Sequence, residues 1–390
     1  MTTLNVAYFA SGISKSETFI SDLINGLSKE VKLTIITSDQ GESFNNVIIE
    51  RRQFPYKYSK LTSRIFSILG HKSRMKFDKY YVQNTLKDFF SKNTFDIAYI
   101  DYGTTAVLLR ELLEVHRIPY IVHFHGFDIT SALNNLYYRN EIKSLFASVG
   151  AIVAASNHIK KLIILQGADE AKVHVIKYGI DAANFQPVSW EEKFYTTPSV
   201  VFLGRLTPKK NPIALLHAFK IVTQTIPTAT LTIIGDGPLY KDVVYTIAKL
   251  DLKENVKLHG KLGQLDALAI LKQHWVYAQH SVTSYQGDQE GFAISLAEAS
   301  SLKLPVVSTI HNGIPENVLE GVTGFLVKEY DYEAMAEKIL ILLQNKDLIR
   351  EMGEAGRLRV LNNFRPETRI SKMLELFKSV KYSAAFNINA

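Results

Sequence analysis

Short runs of β-branched and aromatic residues alternate with longer stretches of helical spacing, and the alternation runs through the chain twice. That double alternation is the strongest constraint on what 390 residues can fold into. Asn5–Phe9, Lys32–Thr37, Asp96–Ile100, Tyr120–Phe124, Ala151–Ala155 and Lys172–Ile176 read as strands, each followed by turn residues and then a helical pattern such as Glu17 to Leu27. Apolar strands separated by helices imply a parallel sheet covered on both faces. The pattern breaks at Pro187–Pro198, PVSWEEKFYTTP, where two prolines and no apolar period suit a linker. It then resumes with strands at Ser199–Leu203, Ala229–Ile234, Val256–His259, Trp275–Ala278, Pro305–Ser308 and Gly324–Val327. Helical spacing follows at Met335–Leu343 and Leu348–Val360, and Ile370, Met373, Leu374, Leu376 and Phe377 predict an amphipathic helix over Glu367–Val380.

The predicted fold class is α/β, with two Rossmann-like doubly wound domains facing a central cleft. An N-terminal domain is expected over 1–187, a linker over 188–198 and a C-terminal domain over 199–366. A helix over 367–382 is expected to pack back on the first domain, ahead of a frayed tail at 383–390. In such sheets ligands sit at the carboxyl ends of the strands.

Composition excludes several classes. With 46% hydrophobic and 21% charged residues the chain is not disordered. No apolar run approaches the roughly 18–20 residues of a membrane span, and MTTLNVAYFASG lacks the basic start and apolar stretch of a secretory signal. The absence of cysteine removes disulfides, thiolate catalysis and zinc–sulfur sites, and fits the cytoplasm. There is no G-x-G-x-x-G after the first strand and no G-x4-G-K-[ST], which argues against dehydrogenases and P-loop enzymes. No D-x-D motif or His/Asp/Glu metal cluster stands out, so neither a metal nor a separate cofactor is expected.

The net charge of +7 is concentrated. Between Arg51 and Lys79 lie nine Lys or Arg and one acid, Asp78, which points to an anionic partner. Arg51, Arg52, Lys57, Lys60, Arg64, Lys72, Arg74 and Lys76 are interleaved with Phe54, Tyr56, Tyr58, Leu61, Ile65 and Phe66. The mixture suits an anionic membrane surface, where each cation is worth about 1 kcal/mol. A nucleic acid is not expected, because no recognised module accompanies the charge. A plainly solvated segment is the alternative.

Two clusters carry chemistry. In Val200–Asn211, VVFLGRLTPKKN, a strand ends at Gly204, and Arg205 and Lys210 occupy the loop into a helix. Two cations there form an anion site suited to diphosphate, or else a solvated basic loop. In Ser281–Ser300, Glu290 stands at a loop-to-helix junction and Glu298 within the helix, the single charge from Phe292 to Leu302. A carboxylate on a buried helix needs donors, and a vicinal diol supplies two. Eight helical residues rise about 12 Å, roughly the span from sugar to ribose in a nucleotide sugar. Otherwise Glu298 is a core ion pair and Glu290 a helix N-terminal acid.

G-R-x4-K, then G-D-G-P (Gly235–Pro238), then E-x7-E followed by PVVSTIHNGIPE (305–316) resembles the retaining GT-B glycosyltransferases of family four. Ser16–Ile20 and His125-Gly-Phe-Asp128 also fit, and within the family the chain looks like a bacterial exopolysaccharide or capsule enzyme. The resemblance implies a hexose moved from a UDP- or GDP-linked sugar to a glycan, lipid-linked, on the inner face of the plasma membrane. Arg205 and Lys210 would bind the donor diphosphate, Glu298 the ribose, and Glu290 the sugar hydroxyls. The amides of Gly291, Phe292 and Ala293 would touch sugar and phosphate. Backbone around Gly260 and Leu262 would meet the base, Asn312 and Gly313 would close the donor pocket, and Gly12 would admit the donor phosphate. His125 would lie near the transferred sugar and acceptor, or else is a structural histidine bonded to backbone, and His123 is expected merely to pack. Asp128 either caps the next turn or orients His125. Relatives often read E-G-F-G-L-P where this chain has Glu290-Gly-Phe-Ala-Ile-Ser295, and paired glycine where it has Asn312-Gly313. The methyl of Ala293 is expected to narrow the sugar pocket. Two rivals remain: a hydrolase or epimerase of the same fold, and a catalytically silent nucleotide-sugar- or membrane-binding partner in an assembly complex.

Overall fold

The central apolar runs become strands because they are buried from both sides, where β-branched and aromatic side chains pack well. The computed structural model describes residues 3–10, 18–38, 44, 47–52, 60–183 and 185–388, with backbone alone for 60–71 and 385–388. The chain divides into two compact units, 1–177 with 366–390, and 178–365.

The first unit holds a seven-stranded sheet. Its strands are β1 (Asn5–Ala10), β2 (Lys32–Thr37), β3 (Val47–Arg51), β4 (Ile97–Asp101), β5 (Tyr120–Phe124), β6 (Ala151–Ala154) and β7 (Val173–Val175). The spatial order is β3-β2-β1-β4-β5-β6-β7, every pair parallel. The chain winds outward from β1 and then restarts on its other side at β4, so the carboxyl ends of β1 and β4 flank a topological switch point. Alternate residues feed two cores: Ala7 and Phe9 join one, Val6 and Tyr8 the other. The helix Pro366–Ile388 covers the second core with Met373, Phe377 and Val380. It meets the helix Thr18–Leu27 at Gly26, where an added Cβ would stand 2.3 Å from Ile370 Cδ1. Arg369 Nη1 donates to Phe19 O at 2.8 Å.

The second unit repeats the plan with β8 (Ser199–Leu203), β9 (Thr230–Ile234), β10 (Val256–Gly260), β11 (Val276–Ala278), β12 (Val306–Thr309) and β13 (Gly324–Val327). Their order is β10-β9-β8-β11-β12-β13, again all parallel, with the switch point between β8 and β11. Both sheets have the doubly wound order expected.

Four expectations change. The segment 188–198 is not a linker: Ser189 Oγ accepts the Glu192 N–H and starts a helix, Trp190–Tyr195, inside the second unit. Trp190 and Phe194, one turn apart, stack at 5.6 Å, a stripe too short to show as a period. The Ser-x-x-Glu pattern at 189–192 was the available signal. The first unit accordingly ends at Lys177 rather than 187. β3 was not foreseen, because this edge strand is half exposed and carries Glu50 and Arg51. The tail does not fray where expected, since the last helix runs on to Ile388.

Lys193, in the helix taken for a linker, is fully buried. Its Nζ donates to His274 O at 2.9 Å and Leu302 O at 3.4 Å. Burial, then the charge of Lys303, bring its pKa down from 10.5 to about 7. The unfolded chain therefore binds more protons than the folded one between these values, and stability rises with pH across that window. Thermal melts from pH 7 to 9.5 will climb for the parent and flatten for Lys193→Met; an unchanged slope in the variant rejects the assignment.

Candidate active site

At the carboxyl end of β8 the chain passes Gly204 and Arg205 into a turn at Pro208–Lys210. Gly204 has no Cβ to obstruct the Lys210 stem, whose Cδ would stand 2.8 Å from one. Gly235 and Gly237 pack equally closely, with added Cβ atoms 1.9 Å from Gly204 O and 2.6 Å from Leu206 O. The Gly235–Pro238 turn thus carries the Gly204–Leu206 loop. Lys210 Nζ lies 2.8 Å from Glu290 Oε2 and 3.4 Å from Gln279 Oε1. Lys209 Nζ reaches Asp288 Oδ1 at 3.2 Å and Gln289 O at 3.3 Å. Arg205 is exposed, with its guanidinium in no hydrogen bond or ion pair among the described residues.

Glu290 pairs with Lys210 with only 12% of its side chain exposed. Burial pushes its carboxyl up, but the charges of Lys210 and Lys209 and the Lys210 hydrogen bond outweigh it and hold the pKa at about 2. The pair therefore stabilises the fold above about pH 4.5, and that contribution disappears as pH falls through about 2.

Glu290 is not at a helix start. The helix spans Ile294–Ser301, so only Glu298 stands on it, and the 12 Å helical spacing of the two carboxylates does not hold. Glu298 is 7% exposed and its Oε1 accepts Gln264 Nε2 at 2.9 Å. Gln264 opens the helix after β10, beside Gly260 (φ 66°) and Leu262. Ala293 adopts φ 58°, ψ 69°, left-handed geometry that favours glycine. Its methyl is buried with Leu296, Ala299, Ile314 and Val318, so it fills core. Phe292 is likewise core, edge-on to Tyr178 and Phe364, and Gly291 is buried. Asn317 Nδ2 donates to the Phe292 and Ala293 carbonyls and holds this turn. Asn312 sits at φ 48°, where asparagine is the best non-glycine substitute, and donates to Gln289 Oε1 at 3.1 Å. Gly313 precedes the short helix Ile314–Asn317.

At the switch point of the first unit, parallel pairing sets Asp101 opposite His123. Asp101 is 1% exposed; its Oδ1 lies 2.9 Å from His125 Nε2, and its Oδ2 accepts Tyr8 OH at 2.5 Å. His123, fully buried, bonds Tyr99 OH through Nδ1 at 2.6 Å. Burial, then the charges of His125 and Arg369, hold its pKa well below the usual imidazole value. Asp128 acts on backbone: Oδ1 accepts the N–H groups of His125 and Gly126, and Oδ2 that of Gly103. Tyr102, beside the His125 ring at 4.6 Å, has φ 69°, ψ 129°. Asp101, His123 and His125 offer ligand atoms all within 4.8 Å of one another. No spacing in the sequence showed this cluster, which two neighbouring strands create.

Gly12 and Lys57 lie outside the described residues, as do the side chains of Lys60 and Arg64. Arg51 ends β3, and Arg52 pairs with Glu50 at 2.6 Å. Lys72, Arg74 and Lys76 are exposed on the helix Lys60–Lys92, whereas Lys79 turns to Glu111 and Glu141 at 2.6 and 3.3 Å. No helix among the described residues is long and apolar enough to cross a membrane.

The family model Glycosyltransferase Family 4 matches residues 16–184, and Glycosyl transferases group 1 matches 188–359. Amylovoran biosynthesis glycosyltransferase AmsK of Erwinia amylovora is 28% identical over 73% of this chain and 70% of its own. The UDP-Gal:α-D-GlcNAc-diphosphoundecaprenol α-1,3-galactosyltransferase of Escherichia coli is 27% identical over 75% and 78%. Anabaena HepE in complex with UDP-glucose has a similar fold, with TM-score 0.77 and 18% identity, over 96% of this chain and 100% of that one. A tandem of two doubly wound sheets with these domains defines a class, the GT-B glycosyltransferases. The chain belongs to that class through its family 4 and group 1 domains.

Removing Lys210 strands a mostly buried carboxylate. Lys210→Ala is expected to lower stability at pH 7 by about 2 kcal/mol, and Glu290→Gln added to it to cost less than the two single changes summed. Denaturant unfolding of the four proteins measures this, and strict additivity overturns the coupling.

Proposed function

We propose that the chain transfers a hexose, with retention of configuration, from a UDP- or GDP-linked sugar to a lipid-linked glycan in bacterial exopolysaccharide synthesis. The observation that carries this reading is the two cations in the loop after β8, an exposed Arg205 and, five residues on, a Lys210 locked to Glu290. Arg205 and Lys210 receive the donor diphosphate and stabilise the charge that grows on it as the glycosidic bond breaks, without a metal ion. Glu290 then turns its free acceptor capacity to the sugar hydroxyls, and Glu298 with Gln264 takes the ribose diol. The acceptor attacks an oxocarbenium-like centre from the face the diphosphate leaves. His125, held by Asp101, serves the acceptor side. The names of AmsK and of the diphosphoundecaprenol-dependent galactosyltransferase support the polymer and the lipid-linked acceptor, and HepE with UDP-glucose supports the donor class.

The chain works as a cytoplasmic protein docked on the inner face of the plasma membrane. Lys72, Lys76, Phe77 and Tyr80 lie on one exposed face of the helix Lys60–Lys92, while Val82, Leu86 and Phe89 face the core. Cations and aromatic rings on one face suit anionic headgroups.

Thermal shifts with UDP, GDP, ADP and their sugar conjugates test the donor. A ligand at 100 times its Kd adds about 2.7 kcal/mol. One diphosphate family is expected to shift the parent selectively, and Lys210→Ala to remove the shift; indifference to every one sinks the reading in favour of a silent partner. Lys210→Ala and Glu298→Ala are expected to abolish transfer with the fold retained, and near-normal turnover by either rejects its role. Vesicles rich in anionic lipid should sediment the parent, and Lys72→Glu/Lys76→Glu about tenfold less of it; equal sedimentation removes the docking face.

A further inference from the structure

His311 and Glu329 form a chain of hydrogen bonds that ends on Glu290 and that the donor reading leaves unused. The His311 ring is buried, 1% exposed, just past the end of β12. Its Nε2 lies 3.1 Å from the Glu290 backbone nitrogen. A peptide N–H can only donate, so Nε2 carries the lone pair and the ring proton sits on Nδ1. Nδ1 donates to Glu329 Oε1 at 2.6 Å. The other oxygen, Oε2, accepts the Thr283 N–H at 2.9 Å.

Thr283 and Glu290 lie seven residues apart in the one loop that joins β11 to the helix Ile294–Ser301. One carboxylate therefore holds the first residue directly and the second through the imidazole. Asn312 Nδ2 also donates to Nε2, at 2.8 Å, which again requires an unprotonated acceptor there. Lys209 holds Gln289 O and Asn317 holds Phe292 O on either side. Among the described residues, the N–H of Glu290 itself is held by His311 alone.

We infer that His311 is a positioning residue for Glu290, set by Glu329 in its Nδ1–H form so that the Glu290 backbone, and with it the carboxylate beside Lys210, stays in register. The inference rests on the reading of Glu290 as a donor-sugar residue. A hydrogen bond shielded from water is strong enough to fix a loop residue, and a shift of about 1 Å at such a group can cost a hundredfold in rate.

Two near-isosteres separate the halves of the imidazole. His311→Gln carries an amide oxygen to the Nε2 position, whereas His311→Asn reaches only the Nδ1 position. Hydrogen–deuterium exchange of peptides spanning 284–292, on the full chain without ligand, is the primary measurement. The Glu290 amide is expected to exchange about tenfold faster in His311→Asn and close to the parent rate in His311→Gln. In transfer assays kcat falls about tenfold to a hundredfold for Asn, and Gln recovers most of it. Parent-like exchange in His311→Asn overturns the inference. So does equal loss of protection in both variants with a matching fall in Tm, which marks a packing role. Lys210→Ala runs alongside: normal turnover by it overturns the donor reading, while the exchange result, which needs no donor, still decides His311.

Discussion

A carboxylate and an ammonium drawn together out of water lose hydration that only close, well-oriented contact restores. The Lys210–Glu290 pair meets that demand, and much of the second unit is arranged around it. Gly204 lacks the atom that would obstruct the lysine stem, and Gly235 and Gly237 let a second turn pack beneath it. Gln279 reaches toward the lysine from the end of β11 and is held in turn by Tyr277 OH at 3.0 Å. Tyr277 also bonds Leu203 O and Ser295 Oγ, tying the strand below Gly204 to the helix that carries Glu298. Three segments distant in sequence converge because β8 and β11 are neighbours at the switch point.

The first unit solves a different problem at the equivalent edge. Its charges are nearly sealed from water, and Asp101 is satisfied by a tyrosine and a histidine rather than by a lysine. Asp128 spends both oxygens on backbone N–H groups, so it shapes the turn that presents His125 and leaves the ring to Asp101.

Strand–helix alternation was legible because buried parallel strands need continuous apolar runs, and among the described residues twelve of the thirteen strands were read that way. β3 escaped since an edge strand buries little and tolerates Glu50 and Arg51. The Trp190–Tyr195 helix escaped because six residues hold too little periodicity and its buried centre is a lysine. Arg205, Lys210, Glu290 and Glu298 were visible as charges set in apolar or glycine-rich surroundings. Asp101 was hidden at the end of a strand, and Lys209, Gln264, Gln279, His311 and Glu329 take their meaning from partners on other loops. The departures at Ala293 and Asn312 make sense once both are seen at positive φ: one residue fills core, and the other is the side chain that best tolerates the geometry.

The helix Pro366–Ile388 belongs to the first unit although the whole second unit precedes it in the chain. The second unit is one continuous stretch of chain, so nothing made after it is needed to close its core. The first unit, begun earlier, waits with the face formed by Val6, Tyr8 and Ile24 uncovered until Met373, Phe377 and Val380 arrive. The half of the polypeptide begun first therefore cannot complete its core until the chain beyond the other half has been made, which lengthens the time its apolar face stays open.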